Sequence, residues 1–164
     1  MAITSKGKKW EIKFKLTWDK TFNRKFAYRL PDQQSRYKGY SSNPSDFFAL
    51  LNGKLLVIEC KEHKGNTFPF SAFRQYEEMV ELSKNYDDLI CGILLWFSDH
   101  AKVVWCPIEE IKRIREDLDC KSINVKMVDN KEYNLITIPC RVPRTFPECD
   151  LTIFDKITKE HTND

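Results

Sequence analysis

Asp46-Phe47-Phe48-Ala49-Leu50-Leu51-Asn52-Gly53-Lys54-Leu55-Leu56-Val57-Ile58-Glu59-Cys60-Lys61 is the stretch on which the fold turns. Two apolar runs flank Asn52-Gly53, the strongest short signal for a two-residue β-hairpin loop. With those two residues as the loop, Leu51 faces Lys54, and counting outward along both arms sets Asp46 directly opposite Glu59. Side chains alternate along a strand, so Lys61 shares the face of Glu59. Phe48, Leu50, Leu55 and Val57 fall on that face, and Phe47, Ala49, Leu51, Leu56 and Ile58 on the other. Both faces are apolar enough to be covered, which puts the two carboxylates at the edge of a core.

That arrangement is costly unless something compensates it. Directly opposed side chains lie about 4.5–5.5 Å apart, and two carboxylates at about 5 Å repel by roughly 3 kcal/mol at an effective dielectric near 20. Lys61 offsets part of this. A divalent cation offsets more, because hard oxygen ligands are what Mg²⁺ takes. The plainer alternative is an Asp–Lys–Glu salt-bridge cluster on the surface of a sheet.

Composition narrows the class. The 164 residues are read as one domain, 1–164, with 41% apolar and 31% charged residues, typical of a soluble globular protein. The longest apolar run, Leu89 to Phe97, is too short to span a membrane. No signal peptide is visible after Met1, so the expectation is a cytoplasmic protein with no membrane partner. The six cysteines, at 60, 91, 106, 120, 140 and 149, show neither CxxC nor zinc spacing and are read as reduced, mostly buried thiols. Charge is uneven. Residues 1–40 carry eleven Lys and Arg against three acids, and the remainder sixteen against twenty-one. A basic segment beside a carboxylate cluster fits a polyanionic substrate, although a solvated lysine-rich helix face explains the charge equally well.

Upstream of the hairpin, Trp10, Phe14, Trp18 and Phe22 recur every four residues and predict a helix over Lys8–Phe26. Glu11 lies at about 100° from Trp10 on that helix, inside the aromatic stripe. It either faces the carboxylate site or pairs with Lys8 or Lys15. Residues 30–43 form a polar, basic loop. Its Arg36 and Lys38, with Arg29 before it, are candidates for phosphate contact, and Tyr37 and Tyr40 for stacking. Downstream, Glu62–Thr67 reads as a polar loop. Ser71 is a candidate N-cap for a helix over 72–84 with Gln75 in its first turns. Strands are expected at Leu89–Phe97, Lys102–Cys106, Ser122–Val128 and Glu132–Pro139, and a helix at Ile108–Leu118. The tail from Arg141 is expected to pack through Leu151, Ile153 and Phe154, with 158–164 disordered.

The order of these parts is a helix with an acid, a hairpin with Asp then Glu-x-Lys, a helix with Gln, then more sheet. It resembles the PD-(D/E)xK nuclease superfamily, and within it the RecU-type Holliday junction resolvases of Gram-positive bacteria and their phages. The residues that carry the likeness are Ser42–Phe47, Asn52-Gly53-Lys54, Ile58–Glu62, Lys64–Phe70 and Phe73-Arg74-Gln75. The resemblance implies an α/β fold, a mixed central sheet flanked by helices. It further implies a metal-dependent endonuclease that resolves four-way junctions by paired phosphodiester cuts. Asp46 and Glu59 would ligate Mg²⁺, or Mn²⁺ in its place, with the Cys60 backbone carbonyl as a further ligand. Lys61 would position the attacking water, and Glu11 and Gln75 would support the site. Arg29, Arg36, Tyr37, Lys38 and Lys64 would contact DNA, and the protein would be a homodimer. The 30–43 segment takes the place of a junction-entering projection and is shorter than in cellular members. Alternatives are a restriction or repair nuclease of the same fold, or a catalytically silent DNA-binding or recombination regulator.

Overall fold

The computed structural model describes residues 5–31, 43–141 and 145–161. Most of the 30–43 loop therefore lies outside the described residues. The hairpin forms in the expected register. Strand β2 (Phe47–Leu51) pairs antiparallel with β3 (Lys54–His63), Phe47 opposite Ile58 and Leu51 opposite Lys54. Asn52 and Gly53 take positive φ of 52° and 77°, which a two-residue loop of this twist demands.

Around this hairpin the chain builds a mixed six-stranded sheet. Strand β1 (Ala27–Arg29) pairs antiparallel with β2, while β5 (Leu89–Phe97) lies parallel to β3. Strands β6 (Lys102–Pro107) and β8 (Ile136–Ile138) extend it antiparallel, in the order β1-β2-β3-β5-β6-β8. A short side ribbon pairs β4 (Thr67–Pro69) with β7 (Ser122–Asn124), and another pairs β9 (Cys140–Arg141) with β10 (Glu148–Cys149). This is the α/β class expected from the sequence. Gly92 on β5 is obligatory, because an added Cβ would sit 2.5 Å from the Cys106 carbonyl oxygen and 2.7 Å from the Trp105 ring.

Each face has its own core. Helix α1 (Lys6–Thr21) lays Trp10, Phe14 and Trp18 on one face against Phe47, Ala49, Leu56 and Ile58. Trp18 Nε1 donates to the Lys25 carbonyl at 3.0 Å, so the ring is buried without stranding its N–H. Helix α4 (Ile153–Glu160) closes the same face with Phe154 against Trp18 and Trp105. The opposite face packs under α2 (Tyr76–Asn85) and α3 (Ile108–Lys112), the latter continued by a π-turn over Arg113–Asp117.

Several boundaries differ from the sequence reading. Helix α1 stops at Thr21 rather than Phe26, because Asn23 and Arg24 turn the chain with φ of 49° and 60°. Strand β3 runs on through Glu62 and His63, since both keep ladder partners on β5. Ser71 does not cap a helix. Residues Phe70–Ala72 form a 3₁₀ turn held by the Phe70 N–H donating to Lys121, and Gln75 occupies the N-cap of α2. The strand expected at Ser122–Val128 ends at Asn124, whose side chain accepts from the Lys126 N–H and starts a 3₁₀ turn over Val125–Asp129. The strand expected at Glu132–Pro139 shrinks to Ile136–Ile138. Nor is the chain disordered from residue 158. Thr158 is fully buried in α4, and its hydroxyl donates to the Phe154 carbonyl at 2.7 Å. All six cysteines carry free thiols, three of them buried.

Candidate active site

Where β2 and β3 open away from their turn, the ladder ends in charge. Asp46 sits one residue before β2, its N–H donating to the Ile58 carbonyl at 3.2 Å and its Oδ2 accepting from the Cys60 N–H at 2.8 Å. Glu59 comes directly after Ile58, where the β2–β3 ladder ends, and is buried to 1% exposure. Lys61, two residues on and on the same face, donates from Nζ to Glu59 Oε1 at 2.5 Å. The other carboxylate oxygen, Glu59 Oε2, is buried with no hydrogen-bond partner. Buried acceptors are rarely left so, and an uncompensated one costs about 1–3 kcal/mol or more when charged.

Electrostatics mark the same spot. Burial, then the charge of Glu59 and that of Glu11, push the Asp46 carboxyl up to about 7. Burial also raises Glu59, with Lys61 opposing it. Two carboxyls shifted upward by burial and by each other form a site that gains from a cation. The Cys60 thiol is raised as well, by burial first and the flanking carboxylates next, which keeps it protonated. Glu110 shows what a structural buried acid looks like in this fold. It is 7% exposed, and both its oxygens are taken by Arg113, at 2.6 and 3.0 Å.

Glu11 faces neither Lys8 nor Lys15. Its Oε2 accepts from Arg29 Nε at 2.8 Å and Nη2 at 2.6 Å, while Lys15 pairs with Asp19. The charge of Glu11 is nonetheless felt at Asp46 and Glu59, so α1 brings a third acid toward the pair. Gln75 begins α2 with Oε1 buried and without a partner, a second orphaned acceptor. Lys64 is exposed just past the end of β3. Arg36, Tyr37 and Lys38 lie outside the described residues.

These residues have the chemistry of a hard-cation site. Two carboxylates supply anionic oxygen, one of them with an oxygen still unbonded. The Cys60 N–H points to the Asp46 flank, and an extended residue sends its carbonyl to the flank of its N–H, so that carbonyl is on the same side. Among the described residues no three His, Cys, Asp or Glu side chains converge as a metal-holding group. The candidate set is two side chains and one main-chain oxygen.

Sequence reasoning missed how the surroundings are braced. Lys6 bridges to Glu62 at 2.9 Å and lies over the Trp96 ring at 4.8 Å. Asp99 accepts from the Gly65 N–H at 3.0 Å, tying the turn after β3 to the β5–β6 connection. These pairs span 34 to 90 positions, and only the sheet register reveals them.

Comparison with curated protein sequences gives no match. The solved structure of Hjc, a Holliday junction resolvase from the archaeal hyperthermophile Archaeoglobus fulgidus, aligns with a TM-score of 0.49 and 19% identity, over 74% of this chain and 98% of that one. The profile of the RecU family, Recombination protein U, matches residues 27–144. That span holds Asp46, Glu59, Lys61 and Gln75 and all six strands of the sheet, with Glu11 preceding it. It is well over half of the 164 residues, and the chain belongs to the RecU family.

Proposed function

We propose that this protein resolves four-way DNA junctions by hydrolysing phosphodiester bonds at the open end of the β2–β3 hairpin. The observation that carries the reading is the opposed pair Asp46 and Glu59, with Lys61 bonded to one oxygen of Glu59 and the other oxygen orphaned. Asp46, Glu59 and the Cys60 carbonyl would hold the divalent cation, Mg²⁺ or Mn²⁺ in its place. When bound, the ion neutralises the carboxylates, acidifies water and draws charge from the phosphate. With it present both carboxylates stay ionised at neutral pH, against the upward push of burial.

The chain's own residues do the rest. Lys61 shares its protons between Glu59 and the attacking water, orients that water toward phosphorus, and faces the charge that builds on the phosphoryl oxygens. The new bond joins the water oxygen to phosphorus. The proton of that water passes to solvent, the bond from phosphorus to the 3′ oxygen breaks, and that oxygen takes a proton from solvent water, leaving 5′-phosphate and 3′-hydroxyl ends. Glu11 adds negative charge behind the pair and is itself held by Arg29. Gln75 offers its orphaned Oε1 to a water of the site. Lys64 contacts backbone phosphates beyond β3, and Arg36, Tyr37 and Lys38 contact the branched substrate from the 30–43 segment. One chain carries one such pair, so symmetric cuts across a junction need two copies, a homodimer.

Cleavage of a labelled four-way junction beside matched linear duplex tests this, with Mg²⁺, Mn²⁺ or EDTA, for wild type and Asp46→Asn. Paired symmetric nicks on the junction, absent with EDTA and in the variant, are expected. Equal cutting of linear duplex would remove junction selectivity. Tight binding of the junction with no cutting would point to a silent binding protein.

A further inference from the structure

We infer that Cys140 and Cys149 are a disulfide-forming pair, closed by exchange with a small-molecule disulfide and reopened by a thiol, that locks the β9–β10 ribbon. The register makes them direct partners, Cys149 opposite Cys140 and Glu148 opposite Arg141. The Asp150 N–H donates to the Pro139 carbonyl at 2.7 Å, so the next pair along the ladder is a hydrogen-bonded one. Hydrogen-bonded and non-hydrogen-bonded pairs alternate in an antiparallel ladder. Cys140 and Cys149 are therefore a non-hydrogen-bonded pair, with Cα atoms about 4.5 Å apart and side chains at their closest. A disulfide takes Cα separations of about 4.4–6.8 Å. Both side chains pack on the core beneath α1 and α4, so they share one face of the ribbon.

The strand cysteines elsewhere are placed differently. Cys106 faces Ile93, two residues from Cys91, and such diagonal partners are about 7–8 Å apart, past the reach of a disulfide. Cys60, beside the carboxylates, faces Leu94.

The ribbon has reason to be locked. Its strands are two residues long, so few ladder bonds hold it. It nonetheless carries contacts to the α1 side of the sheet. Glu148 lies 3.7 Å from Lys13, and Phe146 packs on Trp96 with ring centres 5.4 Å apart. A crosslink closing the 140–149 segment removes freedom from the unfolded chain and leaves these contacts in place.

Both thiols are free and half-buried. Cys149 lines an open cleft of about 420 Å³ with Lys13 and Lys20, two cations suited to an anionic disulfide such as oxidised glutathione. One protein thiolate attacks a sulfur of the oxidant, expelling one glutathione thiolate and leaving a mixed disulfide. The second protein thiolate attacks the protein sulfur of that bond and expels the other glutathione. Two electrons pass to the oxidant, and the two protein thiol protons end on the two glutathiones. Burial raises both thiols, Cys149 to about 12, so exchange is slow and the pair stays reduced while oxidant is scarce.

Prolonged incubation of the full chain with oxidised glutathione tests the inference, for wild type, Cys140→Ser, Cys149→Ser and the control Cys120→Ser. Wild type and Cys120→Ser are expected to lose two free thiols and two hydrogens of mass and to yield a peptide crosslinked between 140 and 149. They should melt about 5 °C higher than when reduced, and dithiothreitol should reverse all three changes. Cys140→Ser and Cys149→Ser should show neither the crosslink nor the rise. Six free thiols in the treated wild type, glutathione adducts without a crosslink, a crosslink through another cysteine, or an oxidised form that melts no higher would each overturn the inference. These readouts involve neither DNA nor metal, so they bear on the cysteine pair separately from the resolvase reading.

Discussion

The two ends of one hairpin are built to opposite purposes. At the turn, the side-chain donors have partners. Asn52 Nδ2 reaches Asp155 Oδ1 at 2.8 Å and Thr158 Oγ1 at 2.9 Å, and the buried Lys54 meets Asp88 at 2.7 Å. At the open end, two carboxylates feel each other's charge, one oxygen is orphaned, and Asp46 is pushed up to about 7. The strands between are the same, apolar and well paired. A chain selected for stability alone would not leave its ladder in that state. Strain confined to one end, with a satisfied end as reference, marks where a ligand completes the structure.

Substitutions at the two ends should separate activity from stability. The largest effect is on catalysis. Glu59→Gln or Lys61→Ala should lower junction cleavage by about 10²–10³-fold or more, since each removes charge aimed at the reacting phosphate. Steady-state rates at saturating Mg²⁺ check this. At the turn, Asn52→Ala loses two side-chain bonds to α4 and keeps a positive φ that alanine resists, so thermal unfolding should show a loss of about 2 kcal/mol with little change in rate. Gly53→Ala, at φ of 77°, should cost about 1 kcal/mol and also leave cleavage intact.

The pH dependence sharpens the contrast. The folded Asp46 carboxyl is raised above its unfolded value, so the folded state binds its proton more tightly. The stability this gives is fully present below the unfolded value of 3.8 and is lost as pH rises through about 7. Metal-free protein should therefore melt lower at pH 8 than at pH 5 by a few degrees. In Asp46→Asn that fall should be smaller, and at pH 8 without metal the variant should be the more stable by about 1–2 kcal/mol. A variant as pH-sensitive as wild type would remove Asp46 as the source.

Most of this was legible in the chain because the signals are local. Asn52-Gly53 sets the register from Leu51–Lys54 to Phe47–Ile58, which brings Asp46 and Glu59 to the same end of the hairpin, and Lys61 two residues on bonds Glu59. The four-residue aromatic spacing found α1. What escaped was non-local. Glu11 takes Arg29, eighteen residues on, because α1 crosses over β1, and no spacing along the helix forecasts that. The π-turn after α3 and the buried Thr158 of α4 likewise left no signal in the local spacing. Pairing of β4 with β7 and the 3₁₀ turn over Phe70–Ala72 delay the helix expected from residue 72 until Tyr76.

Mg²⁺ binding followed calorimetrically at pH 8, for wild type, Asp46→Asn and the turn-end variant Lys54→Met, tests the central claim most directly. Saturable binding of one or two ions per chain is expected for wild type and for Lys54→Met, accompanied by a rise in melting temperature, and neither response is expected in Asp46→Asn. Equal binding and equal stabilisation in Asp46→Asn would contradict it, and the opposed carboxylates would then be a salt-bridged edge of the sheet rather than a metal site.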